Sequence, residues 1–246
     1  MVELIDGERI DQLFNDDVKI IQSPSVFSFS VDTVLLANFP NIPKRGRIVD
    51  LCAGNGAVGL FVSRFTNAEI LQVELQPRLA DMGRRSIELN GLEEQIQMFN
   101  LDLKDAPKVI AHDSVDLLLV NPPYFKSDSQ SKKNPNPYLA IARHEITANL
   151  EDVIHMSSYL LKTNGRLALV HRPDRLLDIL DTLRKFHIAP KRIQFVYPKA
   201  KKESNTVLIE GIKRGSADGL RILPPLIVHD EFNQYTKEIE EMYGGK

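Results

Sequence analysis

Arg47-Ile48-Val49-Asp50-Leu51-Cys52-Ala53-Gly54-Asn55-Gly56-Ala57-Val58-Gly59 is the stretch on which the fold of this chain turns. Arg47 to Leu51 reads as a buried strand, and glycines at positions 54, 56 and 59 then turn the chain sharply toward a helix. Glycine at such a turn lets backbone approach a ligand with no side chain between them. A second strand, Ile70 to Glu74, follows, and it places Glu74 20 residues after Gly54. The spacing Gly54-x-Gly56-x-x-Gly59 with a later acid is the fingerprint of a loop that cradles a nucleoside-containing ligand, the acid accepting hydrogen bonds from ribose hydroxyls.

Outward from this loop, short apolar runs alternate with helical patterns. Pro77 suits the first turn of a helix running to Asn90, which Gly91 stops. Gln95 to Phe99 alternates as a third strand, and Val115 to Val120 is a nearly continuous apolar run halted by Asn121-Pro122-Pro123. Asn149 caps a helix through Lys162 that Asn164-Gly165 terminates; Arg166 to Val170 is a strand; Pro173 opens a helix ending near His187. Arg192 to Tyr197 and Thr206 to Glu210 leave no room for a helix between them and predict an antiparallel pair at the sheet edge. Upstream, Val31 to Phe39 reads as helix. The expected class is α/β, a doubly wound, mostly parallel, seven-stranded Rossmann-like sheet with an antiparallel edge strand. Residues 1–45 are expected to be an extension packing on the core, 46–215 the ligand-binding catalytic domain, and 216–246 a C-terminal extension of that same domain.

Composition narrows the class further. The 246 residues contain no run of about 18 apolar residues, and the start, Met1-Val2-Glu3-Leu4-Ile5-Asp6, has neither the basic nor the apolar part of a signal peptide. The one cysteine, Cys52, excludes an internal disulfide or a multi-cysteine metal site. A cytoplasmic protein with no membrane and no metal is the expectation. A net charge of −2 excludes polyanion binding over the whole surface. Charge is uneven, however. Residues 1–20 carry six acids against Arg9 and Lys19, whereas residues 190–214 carry seven cations against Glu203 and Glu210. That basic segment is either a local polyanion-binding edge or a solvated one.

The glycine loop and Glu74 suit NAD and S-adenosylmethionine equally, because both contain adenosine. Asp50 favours the second: a carboxylate beside the loop repels a pyrophosphate but suits a sulfonium and an amino group. Asn121-Pro122-Pro123-Tyr124 lies at the carboxyl end of a central strand, where open α/β sheets bind ligands. Its prolines supply no amide donors and hold the segment extended. The Asn121 side-chain oxygen and a backbone carbonyl are then two acceptors for the two hydrogens of a planar amine, and Tyr124 offers a ring for a base to stack on.

Together these motifs resemble the class I S-adenosylmethionine-dependent N-methyltransferases with an Asn-Pro-Pro-Tyr motif, over roughly residues 25–215. Phe27-Ser28-Phe29-Ser30-Val31-Asp32-Thr33-Val34-Leu35-Leu36-Ala37, with Asn121 to Phe125 and Ala142-Arg143-His144-Glu145, is more narrowly similar to the bacterial tRNA(Val) adenine-N6 methyltransferase family, which acts on the adenine just 3′ of the anticodon. The resemblance implies S-adenosylmethionine as methyl donor and tRNA as partner. It implies that Asp50, Gly54 and Gly56 line the donor's methionine portion, with Ala53 and Asn121 also at the donor, that Glu74 holds the ribose, and that Asp102 with Leu101 contacts the donor adenine. Asp32 would close over the methionine end, while Asn121 and the Pro122 carbonyl would hold the target amine and Tyr124 stack on the base. Lys126, Lys132, Lys133, Lys199, Lys201 and Lys202 are the candidate RNA contacts.

Other residues read as structural. Cys52 is expected to pack, His144 and Glu145 to pack or position the segment after Tyr124, His171 to sit at the surface, and Phe27 and Phe29 to lie in the core. Residues 127–136, polar and Pro-containing, are expected to order with substrate. Transfer to guanine N2 of rRNA or to a protein glutamine amide offers an equally planar acceptor. The glutamine enzymes carry a longer helical region than the roughly 49 residues before this glycine loop. A donor-binding RNA scaffold without turnover and a nicotinamide-dependent oxidoreductase are the remaining alternatives; the latter gives the Asn121 turn no role.

Overall fold

The computed structural model describes residues 2–14, 18–26, 29–124 and 148–244. Its main sheet is built outward from β3 (Arg47–Leu51), the strand that ends in the glycine loop. On one side of β3 lie β4 (Glu69–Glu74) and then β5 (Ile96–Asn100); on the other lie β6 (Val115–Val120) and β7 (Leu161–His171). All five are parallel. Because β3 pairs with both β4 and β6, the winding reverses there, and a reversal of strand order opens a crevice at the carboxyl ends of the strands.

Beyond β7 come β9 (Thr206–Lys213) and then β8 (Ile188–Lys199), paired antiparallel as expected. The reversed member, β9, is the inner one of the two. With β8 these make the seven strands read from sequence. Two short strands, β10 (Arg221–Ile222) and β11 (Leu226–His229), add to β8 in parallel and make nine.

Alternation along the central strands buries both faces. Ile48, Ile70, Leu117 and Leu119 join one core cluster with α1 (Val31–Asn38) and α2 (Ala57–Ser63), while Val49, Leu71, Leu118 and Val120 join another with α4 (Leu150–Leu160) and α5 (Leu176–Lys185). Asn149 caps α4 in a reciprocal capping box with Asp152. That helix stops at Leu160, short of Lys162, and β7 begins at once. Asn164, at φ 67°, and Gly165 therefore lie in a kinked strand rather than in a helix cap. Gly165 is needed there because a Cβ would sit 2.8 Å from the Val115 carbonyl.

The sequence reading contained no element before Val31, yet β1 (Arg9–Phe14) and β2 (Val18–Gln22) form a hairpin. It clamps α3 (Pro77–Leu89): the Ile21 amide donates to Ser86 Oγ at 3.0 Å, and Arg85 grips Glu8 at 2.6 Å. The hydrogen bond from Arg85 holds the Glu8 carboxyl below its usual range. At the other terminus α6 (Lys237–Met242) packs on α1 through Ile239, and Asn38 Nδ2 donates to the Met242 carbonyl at 3.3 Å. Among the described residues no helix is long and apolar enough to cross a membrane.

Candidate functional site

A cavity of about 410 Å³ opens at the reversal point, between the loop after β3 and the turn after β6. Asp32, Ala53, Gly54, Glu74, Leu101, Asp102, Asn121, Pro122 and Tyr124 all line it, so residues far apart in the chain converge there.

On the β4 side the polar groups are fixed by backbone. Gly54 has φ 58° and open space where a Cβ would stand. Its amide donates to Glu74 Oε2 at 2.8 Å, and the Gln76 amide donates to Oε1 at 2.8 Å. Each carboxylate oxygen keeps capacity for a second hydrogen bond, the arrangement a vicinal diol requires. Burial pushes the Glu74 carboxyl up, opposed by these backbone bonds. The Leu101 amide donates to the Glu74 carbonyl at 3.1 Å, and Asp102 accepts from the Lys104 amide at 2.9 Å, capping a 3-10 helix, Leu103–Lys108.

Asp50 and Gly56 lie behind this wall rather than in it. Asp50 is 1% exposed, with Oδ2 accepting from Gln72 Nε2 at 3.1 Å and Oδ1 without a partner. Burial pushes its carboxyl up to about 7. Gln72 also donates to the Gly56 carbonyl at 3.0 Å. A Cβ on Gly56 would meet Gln72 Oε1 at 2.9 Å, and one on Gly59 would meet Gln72 Nε2 at 2.3 Å. The last two glycines of the motif thus make room for Gln72, and Gly54 alone faces open space.

On the β6 side the polar groups are tied to one another. The Tyr124 hydroxyl lies 3.1 Å from Asp32 Oδ2 and makes a short hydrogen bond to Asn121 Oδ1. A phenol has one proton, so Asp32 Oδ2 and Asn121 Oδ1 share it as alternative acceptors. Burial, the largest influence on Asp32, pushes its carboxyl up, opposed by the hydrogen bond from Tyr124 and the nearby Arg172. Burial and the nearby Asp32 raise the Tyr124 phenol well above its ordinary value, so it stays neutral.

His171 corrects the sequence reading. β7 continues through it, paired with Val207, so it is buried at 1% exposure instead of lying at the surface. Its ring packs 5.1 Å from that of Tyr124. Nδ1 accepts from the Arg172 amide at 2.8 Å, which places any proton of the neutral ring on the unpartnered Nε2. Burial lowers its pKa to about 4, keeping it neutral at pH 7. Phe29 lines the cavity while also packing on the core. Cys52, at φ 60°, lines it too, but burial drives its thiol so far up that no thiolate forms at neutral pH, in keeping with a packing role.

Arg172, which the sequence reading left out, also lines the cavity, and its guanidinium has no hydrogen bond or ion pair among the described residues. The signal was its position just past an inner strand's carboxyl end. Asn55, also missed, is buried and donates to the Ile21 carbonyl at 3.1 Å, tying the loop to the N-terminal hairpin.

The basic segment divides into two sets. Arg192 pairs with Glu210 at 3.4 Å, Lys213 binds Asp113 and the Leu161 carbonyl, and Lys191 binds the Ser216 carbonyl at 2.7 Å. Lys199, Lys201 and Lys202, on and after the end of β8, have no side-chain partner among the described residues. Lys126, Lys132 and Lys133 lie outside the described residues, as do Phe27, Ser28, Phe125, residues 127–136 and Ala142 to Glu145. No group of three His, Cys, Asp or Glu that could hold a metal ion occurs among the described residues.

The family described as Methyltransferase small domain matches residues 17–188. A tRNA1(Val) (adenine(37)-N6)-methyltransferase of Porphyromonas gingivalis is 29% identical over 227 residues, covering 89% of this chain and 88% of that protein. A release factor glutamine methyltransferase of Bifidobacterium longum is 30% identical over 183 residues, covering 65% of this chain and 62% of its own length. Among solved structures, a predicted O-methyltransferase of Agrobacterium tumefaciens superimposes with a TM-score of 0.69 at 24% identity, covering 87% of this chain and 96% of that one, which shows the shared fold.

Proposed function

This chain belongs to the methyltransferase small domain family, and on that premise we propose that it moves a methyl group from S-adenosylmethionine to the N6 amine of an adenine in tRNA, beside the anticodon of tRNA(Val). The observation that carries the reading is the Asn121–Tyr124 turn at the mouth of a cavity whose other wall suits adenosine. The relatives named for tRNA adenine-N6 transfer support the substrate.

The residues present fit the donor. Glu74, anchored by two amides, would take the ribose hydroxyls, and Gly54 leaves room for the ligand against the backbone. Asp102 and Leu101 would flank the adenine. The unpartnered Asp50 Oδ1 supplies negative potential behind the methionine end. When bound, the sulfonium donor supplies an already activated methyl group.

The protein's work is then placement. Asn121 Oδ1 and the Pro122 carbonyl would accept the two amine hydrogens and hold the nitrogen in line with the methyl at near-attack distance. As nitrogen gains positive charge these fixed acceptors stabilise it, and its surplus proton would leave to solvent after the methyl–sulfur bond has broken. The Tyr124 hydroxyl takes one lone pair of Asn121 Oδ1 and leaves the other for the amine; release of that hydroxyl would free the ring to stack on the base. Asp32 and the neutral Tyr124 keep the acceptor oxygen oriented until then. Lys199, Lys201 and Lys202 would meet tRNA phosphates.

A protein glutamine amide is the second reading, favoured by the relatives named for it. Incubation with isotopically labelled donor and total bacterial tRNA, rRNA or protein, followed by mass spectrometry, separates the two. N6-methyladenine in tRNA is the expected product; label confined to glutamine would overturn the RNA assignment.

A further inference from the structure

The cavity opens on the rim formed by the carboxyl ends of the parallel strands. That rim continues past β7. β8 and β11 are parallel to each other and β9 is antiparallel to both β7 and β8, so Arg172, Thr206, Lys199 and His229 all lie along it. Thr206 stands next to Val207, the partner of His171 in the β7–β9 pairing, and His229 stands in register with Lys199 on the next strand. From β7 to β11 is three strand spacings, about 14 Å. This is enough for a few nucleotides of extended chain.

The outer end of the rim is built rather than loose. Asp230 Oδ1 accepts from the amides of Phe232 and Gln234, both at 2.9 Å, and the Asp230 amide returns a bond to the Gln234 carbonyl at 2.9 Å. Behind this turn the rings of His229 and Tyr235 stack at 5.0 Å, and Tyr235 stacks on Tyr243 at 5.4 Å. The fixed turn holds Phe232 75% exposed. A scattered exposed apolar residue needs no explanation. This one stands next to Asn233, which lines a groove with Lys199, Lys202 and Glu203, where the two cations outnumber the acid. Cations without a partner among the described residues, beside a rigid exposed ring, are the composition of a single-strand nucleic-acid surface.

Arg172 sits where this rim meets the cavity. It follows β7, on the far side of the acceptor strand β6 from the glycine loop after β3. Its guanidinium, without a partner among the described residues, stands within electrostatic reach of Asp32 and Tyr124. We propose that the rim from Arg172 to Phe232 is a track for single-stranded RNA, in which Arg172 binds the phosphate next to the target nucleotide, Lys199 and Lys202 bind phosphates farther out, and Phe232 stacks on a base. The proposal rests on RNA being the substrate.

The test measures donor affinity, RNA affinity across a salt series, and steady-state methylation of an unmodified tRNA transcript. Arg172→Ala is expected to raise KM for RNA, leave donor affinity unchanged and shallow the salt dependence by about one phosphate contact, with Arg172→Lys recovering most of the loss. Phe232→Ala is expected to weaken RNA binding about tenfold with no change in salt slope, and Phe232→Trp to restore it. Loss of donor affinity in Arg172→Ala would assign that residue to the donor and overturn its role here. RNA methylation unaltered by Phe232→Ala would overturn the track while leaving the substrate reading intact. A wild-type protein that neither binds nor methylates RNA would instead overturn the substrate reading beneath it.

Discussion

On the β4 side of the cavity, Glu74 is held by the amides of Gly54 and Gln76, and Asp102 by the amide of Lys104. On the β6 side, Tyr124, Asn121 and Asp32 are held by one another. The first arrangement can receive a ligand without moving, because each anchored oxygen has capacity to spare. In the second, a mobile hydroxyl already takes one lone pair of the Asn121 oxygen, so a substrate competes with a side chain for that acceptor. A pre-formed half suits a ligand common to every turnover; a self-satisfied half suits a target that must be selected.

The contrast is broken most sharply at Asn121. Asn121→Ala removes a fixed acceptor for the charge that develops on nitrogen, and kcat is expected to fall about 10²–10³-fold. Donor affinity, measured by calorimetry, should stay within about twofold, since the amide is committed to Tyr124 and not to the β4 wall. An equal loss of donor binding would erase the distinction between the halves.

Glu74→Ala tests the other half and should act in the opposite sense. Donor affinity is expected to fall about 10–100-fold, because hydrogen bonds to a charged acceptor are each worth about 1.5–3 kcal/mol. It also leaves the Gly54 and Gln76 amides unpartnered near a buried site, so stability in chemical denaturation should drop by about 1–3 kcal/mol. The Asn121 variant should show no such drop.

This division was only partly legible in the sequence. The strand-loop-helix start was plain, because Ile48 to Leu51 is apolar enough to be central and the glycines that follow admit positive φ. Glu74, Asp102 and Asn121 were readable for the same reason: each sits at a fixed offset from a strand end, and strand ends are what the periodicity marks best. Gly56 and Gly59 were not, since their role depends on Gln72, which lies on a neighbouring strand and carries no motif. Arg172 and His171 were hidden because nothing local tells whether a residue one step past a strand turns inward. The N-terminal hairpin was missed because its stability comes from partners on α3 such as Ser86 and Arg85, more than 60 positions away.

Asp50 sharpens the comparison through pH. Burial holds its carboxyl at about 7 against an ordinary 3.8, so the folded protein retains the proton that the unfolded chain releases. A raised carboxyl favours folding at low pH: the wild-type protein should lose stability relative to Asp50→Asn as pH rises from 3.8 to about 7, with no further loss above. A cationic donor prefers the ionised form, so its affinity should climb as pH rises through about 7, at most about tenfold per unit, with proton release on binding below that point. Calorimetry in buffers of different ionisation heat measures both, and Asp50→Asn should flatten the dependence. No carboxylate on the β6 side should transmit this signal to donor binding.

The smallest effect is expected at Tyr124, and its direction is informative. If the hydroxyl guards the Asn121 oxygen, substrate binding loses that hydrogen bond, a net cost of about 0.5–1.5 kcal/mol. Tyr124→Phe keeps the ring for stacking and removes the guard, so KM for the nucleic-acid substrate should fall by a few-fold, at most about tenfold, with kcat changed by less than about threefold. Tyr124→Ala loses the stacking surface as well and should raise KM instead, by an amount set by base stacking of about 1–3 kcal/mol. Should Tyr124→Phe raise KM and depress kcat together, the hydroxyl would be a positioning group that survives into the reactive complex. The β6 half would then be as pre-formed as the β4 half, and selection of the target would have to be sought along the rim beyond Arg172.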